Sequence, residues 1–125
     1  MNFEDAIDIH APRRLDALTP DELNRLPFGA IRVDAEGRIL FYSRALVDLA
    51  NRQVDSVLGR NFFSEIAPCT VVPEFYGRFR QGVLTGQLHT TFEFVFDFDM
   101  QPVQVRIAMH TSERPGEFWI LVQPL

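Results

Sequence analysis

Few side chains in this 125-residue chain can do covalent chemistry. There is one cysteine, Cys69, and there are three histidines, His10, His89 and His110. A lone cysteine cannot close an internal disulfide and cannot by itself build a zinc site, so Cys69 is either an inert packed thiol or a reactive one. A cysteine hydrolase would need an imidazole beside the sulfur to generate thiolate. The three histidines are widely spaced, and no hydrolase signature surrounds Cys69, so that reading depends on one of them folding next to it. The histidines have no metal-ligand spacing either, and the sequence assigns no metal.

The setting of these groups is unusually apolar. Twelve of the fifteen aromatic residues are Phe, which supplies bulk without a hydrogen-bonding handle, so a pocket lined by them would be dry. The few polar groups near such a pocket then decide what it holds. Tyr42 is one candidate, although a strand-end aromatic needs no ligand to explain it. Arg52 is by default a solvated surface charge.

Composition narrows the functional classes. With 46% hydrophobic and 23% charged residues the chain fits one ordinary globular core, not two. The net charge of −5 and the lack of any basic run argue against nucleic acid or an anionic membrane as partner. No apolar stretch is long enough to span a membrane, and the N-terminus lacks a signal-peptide pattern, so a cytoplasmic monomer is expected.

The elements that must position these residues are readable in outline. Residues 1–25 form the least hydrophobic part and read as an N-terminal cap, with Thr19-Pro20-Asp21-Glu22 predicting a short helix through a capping box. Residues 29–33 and 38–42 read as a hairpin around Asp34–Gly37. Ser43 is placed as the cap of a helix over 44–51, with a further turn at 54–58 stopped by Gly59. Residues 61–72 hold no period, which puts Cys69 on an irregular loop between Pro68 and Pro73. Pro73 starts the longest helix, in which Phe75, Phe79 and Val83 recur every four residues up to Gly86. Alternation then predicts strands over Phe92–Phe98, Val103–Met109 and Phe118–Val122. The order implies an α+β domain spanning 26–125, a five-stranded antiparallel sheet with flanking helices.

Several blocks of residues are familiar in kind: Phe28-Gly29-Ala30-Ile31, Asn61-Phe62-Phe63, Ala67-Pro68-Cys69-Thr70, Pro73-Glu74-Phe75-Tyr76-Gly77, and Phe96-Asp97 followed by Met100 and Pro102. From about Leu26 to the C-terminus the chain resembles the photoactive yellow protein family, blue-light sensors with a PAS fold. The first twenty-five residues match only in general character. The resemblance implies that Cys69 is esterified through sulfur to 4-hydroxycinnamic acid (p-coumaric acid), whose double bond light isomerises. It further implies Tyr42 as donor to the phenol oxygen, Arg52 as cationic cover, and the Cys69 backbone N–H as donor to the thioester carbonyl. Ile31, Phe62, Phe96, Phe98 and Met100 would form walls, and Ile66, Ala67, Pro68 and Thr70 would flank the cysteine.

The chain departs from the family where polarity matters most. Well-studied members have a buried glutamic acid at the place of Leu46 and a threonine at the place of Ala50. Positions four apart share a helix face, so both losses fall on the stripe that begins at Tyr42. Phe98 likewise replaces a common tyrosine. Asp48 is no substitute for the lost acid, because two residues along a helix turn by about 200°. The expected function is therefore a non-enzymatic photoreceptor that signals to a separate downstream protein, with altered support for a phenolate. The alternative from another class is a light-insensitive PAS-like module binding a small ligand.

Overall fold

The computed structural model describes residues 15–98 and 101–125, without the side chain of Phe98. The chain opens with a 3-10 turn, Leu15–Ala17, and a short helix α1, Pro20–Leu23, which carries the capping box expected from Thr19 and Glu22. Strands β1 (Gly29–Asp34) and β2 (Ile39–Tyr42) follow, then helices α2 (Arg44–Ala50) and α3 (Val54–Val57). Helix α4 (Arg78–Thr85) precedes β3 (His89–Phe98), β4 (Gln101–Thr111) and β5 (Glu117–Pro124). The strands form one antiparallel sheet in the order β2-β1-β5-β4-β3.

Alternation along the strands sends side chains to two different apolar layers. Ile31, Val33, Val105, Ile107, Met109, Phe118, Ile120 and Val122 face a Phe-rich layer built from Phe62, Phe63, Phe75, Phe79 and Phe96. Ala30, Ala108, Trp119 and Leu121 face the opposite way, against Leu15, Leu23, Leu26 and Phe28. The part of the predicted cap from Leu15 onward thus packs as a second layer, while residues 1–14 lie outside the described residues.

The structure corrects the sequence reading at several places. Residues 61–72 are not irregular: Phe62–Ile66 forms a π-type turn and Pro68–Thr70 a 3-10 turn. Their backbone bonds run to i−5 and i−3 carbonyls, which leave no repeat long enough to register as a period. The helix from Pro73 begins as a π-type turn, Pro73–Gly77, and becomes α-helical only at Arg78, ending as expected at Gly86 with φ +74°. Ser43 stands at the N-cap of α2 as expected, and its carbonyl accepts from the Leu46 and Val47 N–H groups, but its side chain makes no capping bond. It is fully buried, and its hydroxyl accepts from the Ala30 N–H at 2.9 Å, while the Asn24 side chain accepts from the Arg44 N–H at 2.9 Å. Strand β3 begins at His89, three residues earlier than predicted, and pairing continues to Phe98 opposite Gln101. Pro102 therefore lies inside β4, tolerated where no β5 residue pairs with it.

Candidate functional site

A cavity of about 330 Å³ opens on the Phe-rich side of the sheet, at the lower end of the ~300–1,000 Å³ typical of small-molecule sites. Strand β2 ends at Tyr42, whose ring points into this layer and is 3% exposed. The chain turns at once into α2, and the four-residue spacing places Leu46 and Ala50 on the same wall. Asn51 takes the left-handed conformation at φ 54°, which ends α2 and carries the exposed Arg52 to the cavity edge.

The opposite wall comes from the stretch that had no sequence period. Asn61 holds it by accepting from the Phe63 and Ser64 N–H groups and donating to the Glu36 carbonyl at 2.7 Å. Gly37, at φ +92°, closes the β1–β2 turn over Phe63, where a Cβ would stand only 2.9 Å from the ring. Phe62, Ile66, Ala67, Pro68 and Cys69 then line the cavity in sequence, with Phe96 of β3 adjoining. The Cys69 thiol is free and half-buried. Among the described residues, no backbone carbonyl accepts from the Cys69 N–H.

Two residues of the sequence-derived set stand apart from this lining. Ile31 is fully buried in the sheet core, directly opposite Tyr42 in the β1–β2 register. Thr70 is fully buried as well, and its hydroxyl donates to the Ala67 carbonyl at 2.6 Å, which tightens the turn that carries Cys69. The Phe98 side chain and Met100 lie outside the described residues. Two lining residues were missed, Val122 and Asp97. Val122 was visible only as one of the alternating β5 residues, since nothing in the sequence sets β5 beside β1. Asp97 is exposed and reaches the rim from a position that alternation assigns to the other face.

Electrostatically the site is sparse. Burial pushes the Tyr42 phenol up to about 12, against a smaller lowering by the Arg52 charge, so at neutral pH Tyr42 is an un-ionised O–H donor. No hydrogen-bond partner for that hydroxyl occurs among the described residues, although the residue as a whole is 3% exposed. The hydroxyl borders the cavity and not closed core, which leaves it open to an acceptor from a ligand. Among the described residues Asp97 is the one carboxylate in the lining, and the side chains of Leu46 and Ala50 add no polar atom. The arrangement suits a small, mostly apolar ligand that can accept from Tyr42, with the free Cys69 thiol in the same cavity. Among the described residues there is no group of three His, Cys, Asp or Glu side chains that could hold a metal, and no helix long and apolar enough to cross a membrane.

Comparison with known proteins adds a second line of argument. Residues 20–124 match the family model described as the PAS fold. A photoactive yellow protein of Halochromatium salexigens is 44% identical over 108 residues, 86% of each chain. One from Rhodothalassium salexigens is 45% identical over 102 residues, 82% of each chain. Among solved structures, the photoactive yellow protein domain of the sensor histidine kinase Ppr from Rhodospirillum centenum superposes with a TM-score of 0.85 at 46% identity, covering 89% of this chain and 97% of that one.

Proposed function

The chain belongs to the photoactive yellow protein family within the PAS fold, and from that premise we propose that it is a blue-light photoreceptor whose pigment is a 4-hydroxycinnamoyl group in thioester linkage to Cys69. The observation that carries the proposal is the pairing, in one cavity, of a free thiol with a tyrosine whose ring is buried and whose hydroxyl has no hydrogen-bond partner among the described residues. When bound, the group supplies visible absorption and a double bond that light can isomerise.

The roles of the chain's own residues follow from their chemistry. Tyr42, held un-ionised by burial, donates to the phenol oxygen. Arg52, at the cavity edge, favours negative charge inside. The unbonded N–H of Cys69 is available to a carbonyl next to the sulfur. Phe62 and Phe96 exclude water, which strengthens each remaining polar contact. Leu46 neither accepts nor releases a proton, and Ala50 offers no hydroxyl.

The missing side-chain donor at position 46 sets a specific property. One hydrogen bond to a buried anion is worth roughly 1.5–3 kcal/mol, or about one to two pKa units. The phenol therefore keeps its proton more readily, and near neutral pH the dark protein is a mixture of yellow phenolate and near-ultraviolet phenol forms. Proton return after illumination comes from solvent at the rim where Arg52 and Asp97 lie, so its rate follows pH and buffer. The protein signals to a separate downstream protein and is not a turnover enzyme.

Loss of polarity at Leu46 and Ala50 also favours a second reading, a light-insensitive module whose cavity takes a small aromatic ligand. Colour separates the two. Incubation with an activated 4-hydroxycinnamate should give a covalent visible or near-ultraviolet band that light bleaches reversibly and that Cys69→Ala lacks. A colourless product, or colour indifferent to light, rejects the photoreceptor.

A further inference from the structure

The β3–β4 register brings together two histidines that are 21 positions apart in the chain. His89 stands opposite His110, with their Nδ1 atoms 2.8 Å apart and the ring planes inclined at 62°. At that separation only one Nδ1 can carry hydrogen, and it points at the lone pair of the other. Two nitrogen donors thus converge on one small electrophile. We propose that the pair is a two-imidazole site for a borderline divalent cation, Ni²⁺, Cu²⁺ or Zn²⁺, in competition with protons.

The geometry needs little change. Imidazole–metal bonds of ~2.0–2.1 Å at a near-tetrahedral angle separate the two nitrogens by roughly 3.3 Å. His89 is exposed, so its ring can turn to open the gap, whereas His110 is 5% exposed and fixes its own ring. On binding, the ring that had donated moves its proton from Nδ1 to Nε2, and both Nδ1 lone pairs face the metal. A neutral pair loses no net proton, and a singly protonated pair releases one.

The surroundings decide what kind of site this is. Among the described residues, the charged groups nearby on this face have partners of their own: Arg32 with Glu117 at 2.9 Å, Arg106 with Glu93 at 3.5 Å, and Asp16 with Ser112, Glu113 and Trp119. Among the described residues no group of three His, Cys, Asp or Glu side chains surrounds the pair, so the site proposed is one of two imidazole ligands, exchangeable unlike a four-ligand structural zinc. Cu²⁺ should bind more tightly than Ni²⁺ or Zn²⁺. His110 also stands opposite Trp119, the single tryptophan, so occupancy has an optical readout.

The test is calorimetric titration of the full 125-residue chain with Ni²⁺, with Trp119 emission followed in parallel. It needs no pigment, so its failure is separate from failure of the photoreceptor reading. The expected result is one-to-one binding that quenches Trp119 and weakens by more than about tenfold in His89→Ala and His89→Gln. Binding unchanged in both His89 variants, binding lost instead in His10→Ala or Cys69→Ala, or no binding, which leaves a proton-sharing pair only, would each overturn the proposal.

Discussion

On the face of the sheet toward the N-terminal segment, Asp16 accepts from the Ser112 hydroxyl at 2.6 Å, the Glu113 N–H at 2.9 Å and the Trp119 indole N–H at 3.0 Å, and Arg32 lies 5.6 Å over the Trp119 ring. On the other face Tyr42, almost wholly buried, bonds to none of the described residues and looks onto a cavity. One layer pairs these polar groups with protein partners, while the other leaves a hydroxyl and a thiol waiting at opposite sides of a space. The Tyr42 hydroxyl borders a cavity and not a closed core, so a ligand there can supply the acceptor that the described residues do not.

Breaking the Phe-rich layer should have the largest effect. Phe75 is fully buried and meets the rings of Phe62, Phe63, Phe92, Phe94 and Phe96. Phe75→Ala should cost about 3–5 kcal/mol in urea unfolding. The Tyr42 phenol should give the next effect. Its folded value is raised to about 12, so relative to the ionised group the neutral phenol favours folding by about 2–3 kcal/mol, an advantage fully present below the ordinary tyrosine value near 10 and lost as pH rises through 12. Unfolding measured across that window should lose this slope in Tyr42→Phe.

The opposite face supplies a counterpart of smaller size. Burial by itself would raise the Asp16 carboxyl, but its hydrogen bonds from Glu113, Ser112 and Trp119 and the Arg114 charge outweigh that and hold it below the usual carboxylate value. Its contribution is present above that ordinary value and fades as pH falls through the lowered one. Asp16→Asn should cost about 1–3 kcal/mol near neutrality, and the difference from wild type should shrink in acid denaturation series. The smallest effect sharpens the contrast most. At neutral pH, Tyr42→Phe should change the stability of the pigment-free protein by less than about 0.5 kcal/mol, because no described partner is left unsatisfied. A loss comparable to that of Asp16→Asn would mean that the two faces are built alike.

Much of this was legible in the sequence where a period exists. Phe118, Ile120 and Val122 alternate, and Phe75 and Phe79 are four apart, so the spacing alone assigns strand and helix faces. The wall that carries Cys69 was not legible, because Asn61 organises it through three side-chain bonds and the π and 3-10 turns repeat only once each. Tyr42, Arg52 and Cys69 stood out through family resemblance, not through spacing. The meeting of His89 with His110, and of Val122 with the cavity, depends on strand register and order, which no local pattern encodes.

The central claim is that Cys69 holds a phenol whose ionised form has Tyr42 as its side-chain hydrogen-bond donor, Leu46 and Ala50 supplying none. Absorption of the pigment-loaded protein, recorded through a pH titration beside Leu46→Glu, tests this most directly. Wild type should pass between near-ultraviolet and yellow forms around neutrality, and Leu46→Glu should lower that midpoint by about one to two units. A single yellow species persisting well into the acid range in wild type would contradict it.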